Sequence, residues 1–298
     1  MLGELSQAQK RLKVSLFLTF GLVVIEVVGG VESNSISLVS DAAHVFTDAM
    51  AISLSLFAVI LASRHHMGSM TFGYHRAEVL AALANGVALS AISVWVLFEA
   101  SQRILFPRHI DAPLMLVIAI VGLAGNLLIM LLLKPHSRKS INIRSAFVHV
   151  IYDAVSSVAV IISALVVFFA GVTIGDSLVA FIIAGLIARS AYSIVRDSTR
   201  ILLEGAPQEM EVKDIINSLK QVNGVVDVHD LHVWTISSGM HALSGHVVVH
   251  DQMVSQSSQL VQRINELLSE KFKIDHTTIQ IEDEREISFK RTTNYQKK

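Results

Sequence analysis

The chain has 298 residues, of which 52% are hydrophobic and 16% are charged, and its formal net charge is −1. A typical soluble domain is about 25% charged, so this composition indicates a membrane protein. A net charge near zero gives no sign of nucleic-acid binding, and the absence of cysteine excludes disulfide bonds and thiolate metal sites.

Six apolar segments are each long enough to cross the hydrocarbon of a membrane, which takes about 20 residues in a helix. The predicted spans are 12–31, 36–63, 77–105, 113–133, 145–169 and 174–203. The first span follows basic residues and has no cleavage pattern, so we expect an uncleaved anchor.

Lysine and arginine are concentrated on one side of these spans. On that side stand Lys10, Arg11, Lys13, Arg64, Arg76, Lys134, Arg138, Lys139, Arg144, Arg196 and Arg200. The opposite side has only Arg103 and Arg108. The positive-inside rule therefore predicts that both termini are cytoplasmic.

Two of the spans carry the same pair of ionisable residues. His44 and Asp48 lie in the second span, and His149 and Asp153 lie in the fifth. Four residues are about one helical turn, so each pair shares one face of its helix. Ionisable groups in a membrane helix cost roughly 2.5 kcal/mol or more each, and they normally face a partner or a water-filled path. We therefore predict that the two pairs meet and hold one divalent cation.

The donor set of two imidazoles and two carboxylates limits the choice of cation. Four such ligands complete the tetrahedral shell of Zn²⁺, and the same set also suits Co²⁺, Cd²⁺, Fe²⁺ or Mn²⁺. Asp41, three residues before His44, either supports this site or lies near the outer water interface. Other polar residues of the spans are interpreted as helix-packing groups or cavity liners. They are Glu26, Asn85, Glu99 and Asn126.

Beyond residue 206 the composition becomes that of a soluble domain. Amphipathic helices are predicted at 208–222 and 255–272, and strands at 225–234, 242–249 and 277–281. The order αββαβ predicts a small α+β, ferredoxin-like domain with both helices on one face of the sheet. A core of about 75 residues is marginal alone, so dimerisation through this domain is expected.

The predicted fold class is thus an α-helical membrane protein with six transmembrane helices and a small cytosolic C-terminal domain. We divide the chain into a six-helix transmembrane domain (1–206), a cytosolic metal-binding and dimerisation domain (207–284) and a polar tail (285–298).

The soluble part has a histidine cluster of its own. His229 and His246 fall on two adjacent predicted strands, and Glu282 ends the third. Ordinary surface histidines explain several members of this cluster. Convergence of these three residues on one sheet edge instead predicts a second metal site.

Several stretches together resemble the cation diffusion facilitator family, of the bacterial zinc/cadmium/cobalt-resistance and vertebrate zinc-transporter type. They are Ser40-Asp41-Ala42-Ala43-His44 through Asp48, Thr71-Phe72-Gly73-Tyr74-His75-Arg76-Ala77-Glu78, His149 through Asp153, Leu202-Leu203-Glu204-Gly205-Ala206-Pro207, His229-Asp230-Leu231-His232-Val233-Trp234 and Thr278-Ile279-Gln280-Ile281-Glu282. The stretches cover nearly the whole chain in the order expected for the family.

The resemblance implies a homodimer that exports divalent cations from the cytosol in exchange for protons. Its intramembrane site corresponds to His44, Asp48, His149 and Asp153, a composition like that of the zinc-preferring branch. Its cytosolic site corresponds to His229, His246 and Glu282, with His75 contributed from the loop after the second span. The chain departs from the family seven residues before Glu282, where histidine is frequent and Asp275 stands, followed by His276. The compact chain, without a long histidine-rich loop, favours a bacterial inner membrane.

Two other functions compete with transport. A metalloenzyme needs three protein ligands, an open position for water and a general base, whereas the paired helices supply four ligands and the sequence has no His-Glu-x-x-His motif. A membrane-anchored metal sensor would use only the cytosolic histidines. An anchor has no need of two buried His/Asp pairs, so we favour proton-coupled zinc efflux, with Cd²⁺ or Co²⁺ as further substrates.

Overall fold

The computed structural model describes residues 2–62, 71–134 and 141–285, and gives the backbone alone for 2–12, 48, 51–52, 55–62 and 141–146. Six long helices come first along the chain. Their bounds are α1 Leu2–Glu32, α2 Ile36–Ala62, α3 Arg76–Leu105, α4 Ala112–Leu133, α5 Ile141–Ala170 and α6 Ile174–Leu202.

Most of these helices have the length and composition of membrane spans. Among the described residues, five segments qualify: Lys13–Glu32, Arg76–Leu105, Ala112–Leu133, Phe147–Ala170 and Ile174–Leu202. They expose large apolar side chains, as a lipid-facing surface does. The described part of α2 is not in this set, and many of its side chains lie outside the description. The predicted helical membrane domain is confirmed, with five to six apolar helices.

The chain forms two compact units. The first unit takes its residues from 1–63 and 81–195, and the second takes its residues from 64–80 and 196–298. The segment before α3 and the end of α6 therefore belong to the same unit as the C-terminal domain.

The core of the first unit joins five helices. It includes Leu38 of α2, Leu89 of α3, Met115 of α4, Val160 of α5 and Ile187 of α6. Helix α1 packs on α4 through small residues, since a Cβ added at Gly122 or Gly125 would overlap side chains of α1. Glycine at these positions lets the two backbones approach closely, as in other membrane helix pairs.

Asp176, in the first turn of α6, fixes the start of α2. Its Oδ1 accepts hydrogen bonds from the hydroxyls of Ser35 and Ser37, each at 2.6 Å. The backbone N–H groups of Ile36 and Ser37 also donate to this carboxylate, at 2.9 and 3.2 Å. These N–H groups have no partner inside their own helix, so the carboxylate of α6 caps α2. The N-terminal end of the helix that carries His44 is thereby anchored.

The second unit contains the predicted αββαβ domain, which is confirmed. Its elements are α7 Val212–Lys220, β1 Val225–Ser237, β2 Met240–Val249, α8 Val254–Phe272 and β3 Ile274–Asp283. The sheet order is β1-β2-β3, with β1 antiparallel to β2 and β2 parallel to β3. Apolar residues of both helices, including Ile215, Leu219, Leu260 and Ile264, share one core with the strands.

The strands are longer than the sequence predicts. β1 and β2 continue to a two-residue connection at Ser238 and Gly239, where Gly239 takes the left-handed conformation with φ 74°. β3 begins at Ile274, before the predicted start at 277. Its pairing with β2 already begins at Ile274, which lies opposite His241. Ladder pairing extends the strands through polar residues whose β-propensity is low.

Candidate metal centres

Two helices of the first unit bring together members of the predicted intramembrane site. His44 Nε2 on α2 lies 3.9 Å from Asp153 Oδ1 on α5. Asp153 is buried, with 3% of its surface exposed, whereas His44 is half-buried. An imidazole nitrogen facing a buried carboxylate across a helix pair supplies two donors that suit a divalent cation.

The other two members of the predicted site are His149 of α5 and Asp48 of α2. His149 is exposed on α5, one turn before Asp153. The side chain of Asp48 lies outside the described part of the chain. Within the described residues, His44, His149 and Asp153 do not form a group whose donor atoms all lie within 4.8 Å of one another. Among the described residues, the structure thus shows the approach of His44 to Asp153, and the full four-ligand site stays a prediction.

A buried hydrogen-bond network lies one turn away from the His44–Asp153 contact. Asp41 Oδ1 accepts a hydrogen bond from the Ser156 hydroxyl at 2.5 Å, and its Oδ2 accepts one from Ser157 at 3.2 Å. The Asn126 side-chain amide of α4 donates to the Ser157 hydroxyl at 3.3 Å. The network thus links α2, α4 and α5. The Asp41 carboxylate is 1% exposed, so it is enclosed by these helices, and its role beside the site stays a prediction.

Glu26 of α1 lies near this network. Its carboxyl group interacts electrostatically with those of Asp41 and Asp153. It is 1% exposed, and its Oε2 has no hydrogen-bond partner within the described part of the protein.

The cytosolic sheet brings three predicted ligands together. His229 of β1 is directly opposite His246 of β2, and His246 is opposite Gln280 of β3. Glu282 lies two residues after Gln280, so it projects from the same face of β3. Among the described residues, His229, His246 and Glu282 form the one group of three donors that all lie within 4.8 Å of one another.

The distances in this trio suit metal ligation. Glu282 Oε2 lies 3.0 Å from His229 Nε2, and Glu282 Oε1 lies 3.0 Å from His246 Nδ1. The two imidazole rings are 5.1 Å apart at an angle of 59°. Gln280 donates to Glu282 Oε1 at 2.8 Å and so orients the buried carboxylate. Two imidazoles and one carboxylate are donors that Zn²⁺ prefers, and they leave one position of a tetrahedron.

Other polar residues named from the sequence have contacts elsewhere in the described part of the second unit. His75 is half-buried in the segment before α3 and lines a cavity with Trp234 and Glu204. The His276 ring contacts Phe72, with centroids 6.2 Å apart. Asp275 accepts a hydrogen bond from Ser269 at 2.6 Å.

Asp230, a member of the polar cluster of this domain that was not predicted to be a ligand, also approaches the site. It lies at a register shift of β1, with a left-handed φ of 50°. Its carboxylate lies 3.1 Å from His232 Nε2 and 3.9 Å from His246 Nε2. A non-glycine residue with φ above zero is uncommon, and although aspartate is enriched among such residues, the sequence marks this position only weakly.

Comparisons with known families cover almost the whole chain. The pattern described as "Cation efflux transmembrane domain" matches residues 12–203. The pattern described as "Cation efflux protein, cytoplasmic domain" matches residues 207–284.

Individual relatives match over most of their own length as well. A "Cadmium, cobalt and zinc/H(+)-K(+) antiporter" of Bacillus subtilis is 39% identical over 93% of this chain and 89% of the relative. The "Metal cation efflux system protein CzcD" of Cupriavidus metallidurans is 35% identical over 92% of this chain and 86% of the relative. The "Zinc transporter ZitB" of Escherichia coli is 34% identical over 92% of this chain and 87% of the relative.

A solved structure, the metal-bound C-terminal domain of the CzcD transporter from Cupriavidus metallidurans, is 33% identical. The match covers 24% of this chain and 99% of that chain, with a TM-score of 0.23.

Proposed function

Since this chain belongs to the cation efflux family, a family of membrane transporters rather than of enzymes, we propose that it exports zinc in exchange for protons. The observation that carries the proposal is the approach of His44 on α2 to the buried Asp153 on α5. An imidazole and a carboxylate from two membrane helices have a clear use as cation ligands, whereas their presence in an inert anchor would be costly.

The ligand chemistry supports zinc as the main substrate. The two pairs, His44 with Asp48 and His149 with Asp153, supply four nitrogen and oxygen donors, and four such donors complete a tetrahedral zinc shell. The names of the relatives support the same metals: the Bacillus subtilis protein is called a cadmium, cobalt and zinc antiporter, and the Escherichia coli protein a zinc transporter. Cd²⁺ and Co²⁺ are proposed as further substrates.

Transport by these residues follows an alternating-access scheme. When the site faces the cytosol, neutral imidazoles and ionised carboxylates bind the cation. For the full set to act together, the face of α5 that carries both His149 and Asp153 has to turn toward α2. Relative movement of α2 and α5 then opens the site outward. Histidine exchanges a proton at about pH 6.5, so external protons compete with the cation and release it.

We propose that the cytosolic trio of His229, His246 and Glu282 is regulatory. The structure fits a metal there because the three donors already converge and the buried Glu282 is oriented by Gln280. When bound, zinc would supply a link between the three strands and stabilise the folded domain by mass action at high cytosolic zinc. His75 remains a proposed further ligand from the segment before α3.

The proposed assembly is a homodimer in a bacterial inner membrane, with both termini in the cytoplasm. The match of residues 207–284 to a cation efflux cytoplasmic domain supports a self-association role for that part of the chain. The proposed division remains a transmembrane domain at 1–206, a regulatory domain at 207–284 and a tail at 285–298.

Zinc flux into liposomes tests this function. Full-length protein is reconstituted with a zinc-sensitive dye inside, and zinc is added outside with the interior either acidic or at the external pH. We expect zinc entry that accelerates when the interior is acidic, because outward proton flow drives an antiporter. Glu32→Gln, at an exposed carboxylate of α1, is the matched control for carboxylate changes and should transport normally. Zinc binding without any flux would instead identify a membrane-anchored sensor.

A further inference from the structure

We infer that Asp41 is a positioning residue that sets the register of α2 against α5 and thereby the preference of the transport site for zinc. The inference rests on the proposed function and deepens it, because it assigns to a residue outside the ligand set the control of which cation the ligands hold.

The first step is the contact itself. Asp41 of α2 receives hydrogen bonds from two hydroxyls of α5, Ser156 at 2.5 Å and Ser157 at 3.2 Å. Asp41 and Ser157 are each 1% exposed. Hydrogen bonds to a charged acceptor are about twice as strong as neutral ones. This is therefore a firm connection between the two helices that carry the four proposed ligands.

The second step is the spacing. Asp41 lies three residues before His44, and Ser156 lies three residues after Asp153. On both helices the displacement is close to one turn, about 5 Å along the axis. The two helices therefore touch at the His44–Asp153 contact and again one turn away. One contact leaves the register of two helices undefined, whereas two contacts one turn apart define that register in the conformation seen here.

The third step concerns the acceptors that remain for the Ser156 and Ser157 hydroxyls when the Asp41 carboxylate is replaced. The hydroxyls of Ser156 and Ser157 also lie within hydrogen-bond distance of the Asp153 carbonyl oxygen, at 2.9 and 3.0 Å. A hydroxyl has one proton, so it can donate across to α2 or back along α5. If the Asp41 carboxylate is removed, both hydroxyls keep an acceptor on their own helix. The interhelical connection is lost while α5 stays intact.

Asn126 strengthens this connection from a third helix. Its amide donates to the Ser157 hydroxyl, which occupies a lone pair of that oxygen and leaves the hydroxyl proton for an acceptor. The acceptor that crosses to α2 is Asp41 Oδ2. The amide on α4 thus supports the orientation in which α5 is bound to α2.

The expected consequence of this connection is the preference of the transport site for zinc. Zn²⁺ requires four ligands at about 2.0–2.2 Å in a tetrahedron, so it needs helices held at one register. Cd²⁺ is larger and tolerates longer, less regular ligation, and selectivity among such metals follows from geometry. Loss of the Asp41 connection should therefore weaken zinc binding more than cadmium binding.

The test compares zinc and cadmium transport by full-length protein in liposomes. The variants are Asp41→Asn, which replaces one of the two acceptor oxygens by a donor, and the double change Ser156→Ala with Ser157→Ala, which removes both hydroxyl donors from the other helix. The control is Ser163→Ala, a buried hydroxyl of α5 that has no hydrogen-bond partner within the described part of the protein. We expect each test variant to raise the half-saturating zinc concentration roughly tenfold, as the loss of a charged hydrogen bond would, with cadmium changed far less. Ser163→Ala should keep the wild-type ratio.

The combined variant decides between positioning and general damage. If these residues act only through this one interhelical connection, Asp41→Asn should cause no further rise in the half-saturating zinc concentration when it is combined with the serine changes. The effects of coupled residues are not additive. Equal loss for zinc and cadmium, or additive losses, would overturn the inference while leaving the proposed function in place. If Asp41→Asn fails to fold, the serine variant decides alone. Absence of flux in the wild-type protein would overturn the proposed function, and the inference with it.

Discussion

His44 on α2 and Asp153 on α5 face each other with Nε2 and Oδ1 3.9 Å apart. The two residues are more than 100 positions apart in the chain, so their approach depends on how α2 packs against α5. Their approach supports a cation site between these helices, and the character of the donors there should decide which cations are carried.

His44→Asp is predicted to move metal preference away from zinc. The change replaces an imidazole, which suits Zn²⁺, by a carboxylate, which suits Mn²⁺ better. Competition of Mn²⁺ against zinc flux in liposomes measures this preference. We expect Mn²⁺ to inhibit the variant at lower concentration than the wild type. An unchanged ratio would indicate that His44 is not a ligand. His109→Asp, outside the paired helices, is the control.

Glu282→Gln is predicted to remove zinc binding by the cytosolic trio. Glu282 contacts both imidazoles at 3.0 Å, so its loss separates the donors as well as removing a charge. Equilibrium dialysis of full-length protein should show about one zinc fewer per chain, since a trio of this kind holds one tetrahedral ion. Glu284→Gln, two residues further on and exposed, should bind as the wild type does. Equal stoichiometry in both variants would contradict this site.

Asp176→Ala is predicted to destabilise the protein strongly. The change leaves two backbone N–H groups at the start of α2 without their acceptor in a buried position. Each such group costs roughly 1–3 kcal/mol. Thermal unfolding in detergent should occur at a clearly lower temperature. Asp111→Ala removes an exposed cap of α4 and should cost only about 1 kcal/mol. Equal melting temperatures for these two variants would refute the anchoring role of Asp176.

Two glycine substitutions form a further matched pair. A Cβ at Gly122 would overlap the buried Glu26 carboxyl group, whereas a Cβ at Gly185 meets nothing within 4 Å. Alanine favours a helix over glycine by about 1 kcal/mol. Gly185→Ala should therefore be neutral or slightly stabilising, and Gly122→Ala should lower the unfolding temperature because α1 and α4 must separate. A lower unfolding temperature for Gly185→Ala, with no change for Gly122→Ala, would contradict this account of the contact between α1 and α4.

Hydropathy and periodicity were sufficient to predict the helical membrane domain and the αββαβ order, because both depend on local pattern. Helix rotation is not local. The four-residue spacing places His149 and Asp153 on one face of α5, yet Asp153 is buried and His149 is exposed. Which part of a face is turned toward a neighbouring helix depends on packing along its whole length.

The cytosolic trio was easier to anticipate than its surroundings. Adjacent strands bring His229 and His246 opposite each other once their antiparallel register is set. The register shift at Asp230, and the resulting approach of its carboxylate to His232 and His246, depend on an unusual backbone conformation. The residue type marks that conformation only weakly, because glycine is the usual occupant of the left-handed region and aspartate takes it only occasionally.

The most direct test of the central claim compares zinc flux through Asp153→Asn with flux through Glu282→Gln. Both changes neutralise one buried carboxylate, one between the membrane helices and the other in the cytosolic domain. Initial rates are measured in liposomes with an acidic interior over a range of zinc concentrations. We predict that Asp153→Asn abolishes gradient-driven flux at every concentration, while Glu282→Gln keeps the maximal rate and changes only its dependence on zinc. Wild-type flux through Asp153→Asn would contradict the assignment of the transport site to α2 and α5.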